Sequence, residues 1–179
     1  MIQKISNLIA KLKMLRYTVL DYNDWAVSFC TPDGETFISM GDIKDAIKIS
    51  SKHSVNILKH FIIVSSGQEL SVYVQGKKEN VTRRFKKVTN IGNSGYVDSE
   101  ILYLKVNSQG RFRHYLLNYK GKIMEIPKIS GSSIKIALLD EDHYIVSSYG
   151  YGYTYDYGEY NLDNETVECV VDKDLRIIS

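Results

Sequence analysis

The feature that most constrains the fold is a change in hydrophobic period after residue 20. In residues 2–16 the apolar side chains recur every three or four positions, with lysines between them. From residue 21 onward, short apolar runs that alternate with polar residues are separated by Gly, Asn, Asp and Ser. A period near 3.6 predicts an amphipathic helix, and a period of two predicts half-buried strands. We therefore expect a mainly β fold of antiparallel hairpins with an N-terminal amphipathic helix.

Turn residues divide the β region into predicted hairpins. Residues 32–34, Pro-Asp-Gly, predict a type I turn because proline presets φ and glycine closes the bend. The acidic residues 140–142 divide a later apolar run in a similar way. We also expect a strand over residues 80–88, and a short helix over residues 42–49 with Asp42 as its N-cap.

Two segments are expected: residues 1–20, a helix packed on the body, and residues 21–179, a single antiparallel β-rich domain. Strand starts recur at intervals of 36, 42 and 41 residues, at Trp25, Phe61, Tyr103 and Tyr144. A spacing near forty residues is typical of propeller blades, although any meander also contains hairpins. A sandwich, a barrel and a small propeller-like array of four repeats all stay open.

Composition argues against several classes of protein. Cys30 and Cys169 form no CxxC pair, so we expect no zinc site and no disulfide framework, with one long-range disulfide as the alternative. Lys4, Lys11 and Lys13 interrupt the apolar N-terminus, which is unlike a signal peptide. No apolar window has the length of a membrane span. We expect a cytoplasmic protein without a cofactor, from a bacterial or phage genome rich in Lys, Ile, Asn and Tyr codons.

The net charge of +2 conceals a gradient along the chain. Residues 77–128 carry 12 basic and 4 acidic side chains, a net charge of +8, whereas residues 129–179 carry 3 basic and 10 acidic side chains, a net charge of −7. This separation predicts either two oppositely charged surfaces or mutual neutralisation between neighbouring strands.

Tyrosine alternates with small or polar residues in the segment SSYGYGYTYDYGEY, residues 147–160. In one extended strand five of the rings would share a face. The candidate binding residues on that face are Tyr149, Tyr151, Tyr153, Tyr155 and Tyr157. Five hydroxyls are hard to bury together, and rigid amphipathic rings suit protein recognition. A packed tyrosine ladder and a glycine-tyrosine loop are the alternatives.

Basic side chains with aromatic neighbours form a second candidate surface. Its members are Arg83, Arg84, Lys86 and Lys87 around Phe85, and Arg111 and Arg113 on the strand face of Tyr115. Cations interleaved with rings suit single-stranded nucleic acid, because phosphates meet the cations and bases stack on the rings. The alternative is an edge strand whose charges oppose aggregation.

No catalytic motif of the GxSxG, HExxH or P-loop type is present. His114 alternates with Phe112 and Leu116, which predicts a core position, and His143 follows a turn that we expect to be solvated. We therefore expect a non-enzymatic protein-binding module, of the inhibitor or immunity type, whose partner is another protein. A single-stranded nucleic-acid-binding protein is the alternative, and a metal-free ribonuclease-like enzyme is the third interpretation.

Overall fold

A computed structural model describes residues 2–179, with gaps at 51–52, 67–68, 78, 84, 86–87, 92–99, 109–110, 128, 130–132, 150–154, 157–158 and 161–164. The chain divides into two compact units, Met1–Val88 and Thr89–Ser179. Among the described residues one α-helix precedes 16 strands, which form antiparallel sheets, and no sheet closes into a barrel. The prediction of a mainly β fold with an N-terminal helix is confirmed.

The helix α1 (Ile2–Met14) packs its apolar face on the second strand of the chain, β2 (Val27–Cys30). Ile5, Leu8 and Leu12 form that face and are 3%, 5% and 0% exposed. Their spacing of three and four residues places them on one side of the helix, so a single stripe is buried while the lysines face outward.

The helix ends two residues before the predicted position. Arg16 adopts a left-handed backbone with φ of 60°. The amide of Tyr17 donates to the Leu12 carbonyl at 2.9 Å, and the amide of Arg16 donates to the Lys13 carbonyl at 3.0 Å. This pair of bonds satisfies carbonyls that the helix itself cannot satisfy, and it stops the helix at Met14.

In its described residues the first unit has two sheets whose spatial order follows the chain. The strands are β1 (Thr18–Tyr22), β2, β3 (Thr36–Ser39), β4 (Ile47–Ile49), β5 (Ser54–Ile57), β6 (Phe61–Ser66) and β7 (Glu69–Val74). The first sheet has the order β1-β2-β3-β4 and the second β5-β6-β7. Trp25 and Ile38 of the first sheet region pack with Ile62 and Val64 of the second.

The second unit is built from longer hairpins. Its strands are β8 (Val88–Ile91, starting at the unit boundary), β9 (Ile101–Ser108), β10 (Arg111–Asn118), β11 (Ile123–Glu125), β12 (Ser133–Leu138), β13 (His143–Tyr149), β14 (Tyr155–Asp156), β15 (Glu159–Tyr160) and β16 (Glu165–Asp172). The sheet orders are β11-β10-β9-β8, β12-β13-β16 and β14-β15. Tyr103 and Leu116 share a core with Tyr144, Val146 and Cys169.

The prediction of a strand over residues 80–88 is wrong, because side-chain hydrogen bonds turn the chain there. The Asn80 Oδ1 atom accepts hydrogen bonds from the Thr82 amide at 2.8 Å and from the Val72 amide at 3.2 Å. A side-chain acceptor of this kind competes with the ladder of a strand. β8 therefore begins only at Val88.

The N-cap at Asp42 is confirmed, but the predicted helix over residues 42–49 is a single 3₁₀ turn, Ile43–Asp45, followed by β4. The Asp42 Oδ1 atom accepts a hydrogen bond from the Lys44 amide at 3.1 Å. β4 then pairs with β3, and its β-branched isoleucines favour a strand over a longer helix.

The predicted division at residue 20 and the predicted forty-residue repeat stay predictions. Phe61, Tyr103 and Tyr144 lie in β6, β9 and β13, each the second strand of its sheet in chain order, and Trp25 comes just before β2. This shared strand order alone does not make the four predicted repeats equivalent.

We expect Leu12→Ala to lower the free energy of unfolding by about 2–5 kcal/mol, because it removes a fully buried side chain between α1 and β2. Met14→Ala is the matched control on the same helix. Its side chain is 84% exposed, so we expect a change within about 0.5 kcal/mol. Urea unfolding of both variants gives the measurement, and equal losses would contradict the packing of α1 described above.

Candidate functional site

The sheet β12-β13-β16 has a face that points away from the core of its unit. Tyr144 and Val146 of β13 lie in that core. Successive side chains of a strand point to opposite faces, so Ile145, Ser147 and Tyr149 lie on the other side. We call this side the outer face. The one predicted tyrosine whose side chain the structure describes therefore lies outside the core.

An apolar row crosses the outer face. Ile145 pairs with Ala137 of β12 and with Val170 of β16. The amide of Ile178, in the C-terminal tail, donates to the Val170 carbonyl at 2.8 Å, which adds the tail to this row. Ile145, Ala137 and Val170 are each partly exposed, and Ile178 is 54% exposed. Val167 pairs with Ser147 beyond a register shift in β16, which places it on the outer face although Cys169, two residues further on, lies in the core; Val167 is 57% exposed.

Tyr149 lies at the end of the outer face where the tyrosine-rich segment begins. Its ring is half-buried, and the Lys135 ammonium lies 5.9 Å from the ring centroid. Lys135 pairs with Ser147, one step along the sheet, so it shares the outer face. A cation at this distance is attracted by the ring and bounds the apolar row with a positive charge.

The remaining predicted tyrosines are only partly described. Tyr155 lies in β14, which pairs with β15 through Tyr155 opposite Tyr160. Tyr151, Tyr153 and Tyr157 lie outside the described residues. The chain is extended at Tyr149 and again at Tyr155, and the shared face of all five rings stays a prediction.

Arg83 and Arg113 of the basic surface are each paired with a glutamate. The Arg83 guanidinium lies 2.7 Å from the Glu79 carboxylate within the turn that replaces the predicted strand. The Arg113 guanidinium lies 3.6 Å from the Glu125 carboxylate across the β10-β11 hairpin. Tyr115, the predicted stacking residue beside Arg113, is only 9% exposed.

The other members of the basic surface are less fully described. Arg111 opens β10, and Arg84, Lys86 and Lys87 lie outside the described residues. Arg83 belongs to the first unit, whereas Arg113 and Tyr149 belong to the second.

The basic and acidic segments of the second unit partly neutralise each other. Lys120 lies 2.7 Å from Asp174, and this ion pair raises the pKa of Lys120 and lowers that of Asp174. Lys173 lies 3.3 Å from Asp142 and 3.9 Å from Glu100. The Lys120–Asp174 pair joins the basic segment to the acidic one and supports the neutralisation alternative at that point, whereas Lys173 is itself a cation of the acidic segment.

The two histidines of the second unit have protein partners. The Nδ1 atom of His114 is 2.5 Å from the Tyr103 hydroxyl, and the two rings stack with centroids 5.8 Å apart. Burial, with a smaller effect of Lys105, lowers the pKa of His114, and burial raises that of Tyr103. His143 Nδ1 lies 2.8 Å from the Asp140 carboxylate at the exposed turn.

One exposed ring combines with a cation beside this pair. Phe112 is 52% exposed, and the Lys105 ammonium lies 4.4 Å from its ring centroid. Lys105 lies opposite His114, on the face that also carries Phe112 and Leu116. Along this face the side chains change from buried at Leu116 to solvent-exposed at Phe112. The alternation of the strand predicts a core position for His114, and in the structure His114 lies at the edge of that core.

Comparison of the chain with protein-family models, curated proteins and solved structures found no significant match. Within the described ranges, no group of three or more His, Cys, Asp or Glu side chains is arranged to hold a metal ion. No helix in the described part of the chain is both long and apolar enough to span a membrane.

Sequence reasoning missed most of the outer face. Lys135, Val167 and Ile178 come from three different segments, and only the pairing of strands brings them beside Tyr149. The usable signal was the alternation of Ile145 and Tyr149 with the apolar Tyr144 and Val146, which assigns the two sets to opposite faces.

We expect the Lys105→Met variant to raise the pKa of His114 toward 6.5, because removing a nearby positive charge makes protonation easier. Lys120→Met is the control, because its ammonium pairs with Asp174 instead. Histidine ring shifts in an NMR titration give both pKa values.

The same titration has a consequence for stability. The folded chain binds the His114 proton less readily than the unfolded chain does, so this group lowers the free energy of unfolding as the pH falls below 6.5. The loss stops once the pH is below the folded-state pKa. A His114 pKa at or above 6.5 would contradict the burial of this ring.

Proposed function

We propose that the chain is a non-enzymatic protein-binding module that docks a partner protein on the outer face of the β12-β13-β16 sheet. The observation that carries this proposal is the apolar row that crosses that face, in which Ile178 is more than half exposed, together with the equally exposed Val167 beside it. A contiguous apolar surface with a polar border is a feature of protein interaction sites.

Tyr149 is the expected anchor of this interface. Tyrosine contributes a large ring at low entropy cost, and buried aromatic anchors carry much of the binding energy of interfaces. The Lys135 ammonium beside the ring adds a positive charge at the border, which favours an acidic group of the partner at that point. An inhibitor or immunity-type role in a bacterium or phage is the setting that we propose for such a module.

Single-stranded nucleic-acid binding is the second candidate, favoured by Phe112. This ring is half exposed and has the Lys105 ammonium near it, as a base-stacking site requires. The pairing of Arg113 with Glu125 and the burial of Tyr115 weaken this candidate. A ribonuclease-like activity ranks third, since His114 and His143 each already bind a neighbouring side chain.

We expect Tyr149→Ala to weaken capture of the partner by roughly thirtyfold, the effect of losing an aromatic anchor worth about 2 kcal/mol. Val167→Lys and Ile178→Lys should abolish capture, because each introduces a charge into the apolar row or directly beside it. Both side chains are more than half exposed, so the fold should tolerate them. The measurement is affinity capture from a lysate of the native host, followed by titration of the captured protein.

Leu20→Lys is the matched control, because Leu20 is 55% exposed on β1 of the first unit. It should leave capture unchanged, as should nuclease treatment. A partner lost on nuclease treatment, with an affinity that falls steeply and log-linearly with salt, would favour nucleic acid instead. Capture that tolerates all three outer-face substitutions would contradict the proposed interface.

A further inference from the structure

The first unit contains a cavity of about 350 Å³ that reaches its core. Its floor includes Trp25 and Ile38, which are 3% and 0% exposed, and its sides include the half-buried Met40 and Ile47. Small-molecule sites have volumes of this order and mostly apolar walls. Water in such a cavity finds few hydrogen-bonding partners on these walls, so an apolar group that displaces it gains free energy.

Trp25 holds the apolar wall in a fixed position. Its indole Nε1 atom donates to the Lys59 carbonyl at 2.8 Å, and its backbone amide donates to the Asn23 side chain at 3.0 Å. The polar edge of the ring is therefore already satisfied by protein. What the cavity offers a ligand at this position is the small exposed part of an aromatic ring, which binds apolar groups.

The rim of the cavity is polar and its surroundings are predominantly positive. Lys4 of α1 and Lys77, just after β7, line it, and so do Asp42 and Asp45. The Asp42 carboxylate accepts the Lys44 amide, which lowers its pKa, and the charges of Lys11, Lys44 and Lys4 lower it further. Four lysines thus lie on or close to a rim that has two aspartates.

The end of the Lys4 side chain lies against Gly41. A Cβ atom built on Gly41 would lie 2.9 Å from both Cε and Nζ of Lys4, so another residue there would displace the end of the lysine; the φ of 135° at Gly41 independently favours glycine. Within the described residues, neither Lys4 nor Lys77 has an acidic side chain within 4.0 Å of its ammonium. Ammonium groups without a carboxylate partner among the described residues suit an anionic ligand.

We propose that this cavity binds a small amphipathic anion, with an apolar body against Trp25 and Met40 and an acidic head group near Lys4 and Lys77. Carboxylate and phosphate head groups share the required chemistry. The site lies in the first unit and is independent of the outer face, so the two proposals succeed or fail separately.

Trp25 provides the measurement, because it is the single tryptophan of the chain and it lines the cavity. Four probes share one apolar chain and differ in the head group: octanoate, octyl phosphate, octylammonium and octanol. Each probe is titrated into the protein, and the fluorescence emission of Trp25 is recorded. Excitation is at a wavelength that tryptophan absorbs and tyrosine does not. We expect octanoate and octyl phosphate to change the emission saturably, and to bind about tenfold more tightly than octylammonium or octanol. The stronger of the two anions identifies the preferred head group.

Lysine substitutions test the head-group site. Lys4→Met and Lys77→Met keep an apolar side chain but remove the charge, and together they should weaken octanoate binding about fivefold to tenfold. Lys13→Met, on the exposed side of α1, should leave it unchanged. The outer-face variant Val167→Lys should bind octanoate like the unmodified protein.

Three results would overturn the proposal: no saturable change with either anion, equal binding of octanoate with octylammonium or octanol, or equal losses in the Lys13→Met and Lys4→Met/Lys77→Met proteins. Circular dichroism of each variant confirms that a loss of binding reflects the missing charge and not unfolding.

Discussion

The alternation of side chains along β13 is the constraint on which the second unit depends. Tyr144 and Val146 supply the contribution of β13 to the core, and the same geometry necessarily turns Ile145 and Tyr149 away from it. A shift of register by one residue would exchange the two sets, burying the outer row and exposing the core. The register is held on both sides, because β13 is the central strand of its sheet. The proposed docking surface is thus a consequence of how the core is built.

The buried Asn118 side chain determines where β10 stops. Asn118 is fully buried, and its Oδ1 atom accepts the amides of Lys120 and Lys122, while its amide group donates to the Lys173 carbonyl at 2.9 Å. One side chain therefore closes the β10-β11 turn and ties it to the residues after β16. Such a residue stabilises a turn and a long-range contact together, because leaving its polar atoms unpaired in the core would be costly.

Local patterns were sufficient to predict the helix and most of the hairpins. The period of α1 and the Pro-Asp-Gly turn at residues 32–34 are properties of neighbouring residues, and in the structure the Gly34 amide donates to the Thr31 carbonyl at 2.9 Å. The error over residues 80–88 has a different origin. The acceptor on Asn80 reaches back to Val72 on β7, a contact that depends on where β7 lies. The same holds for the C-terminal tail, where Ile177 pairs with Val171.

The candidate site was predictable to a smaller extent than the fold. Alternation indicated the face of Tyr149, but its neighbours Lys135 and Val167 are brought to it only by pairing between strands. The ion pair between Glu79 and Arg83 was not predictable either, because their spacing of four residues brings side chains together on a helix and these residues form a turn. Nor was the cavity beside Trp25, since it is formed by segments of α1, the first sheet and the end of β7.

Thiol labelling of a Val167→Cys protein, read by mass spectrometry, tests the outer face most directly. Cys169, two residues away and on the core side, is buried and serves as an internal control, while a Leu20→Cys protein reports on the first unit. The account predicts rapid labelling at position 167, protection of Cys169, and a marked slowing at position 167 but not at position 20 when the captured partner is added. Labelling at position 167 that is as slow as at Cys169, or that the partner leaves unchanged, would contradict it.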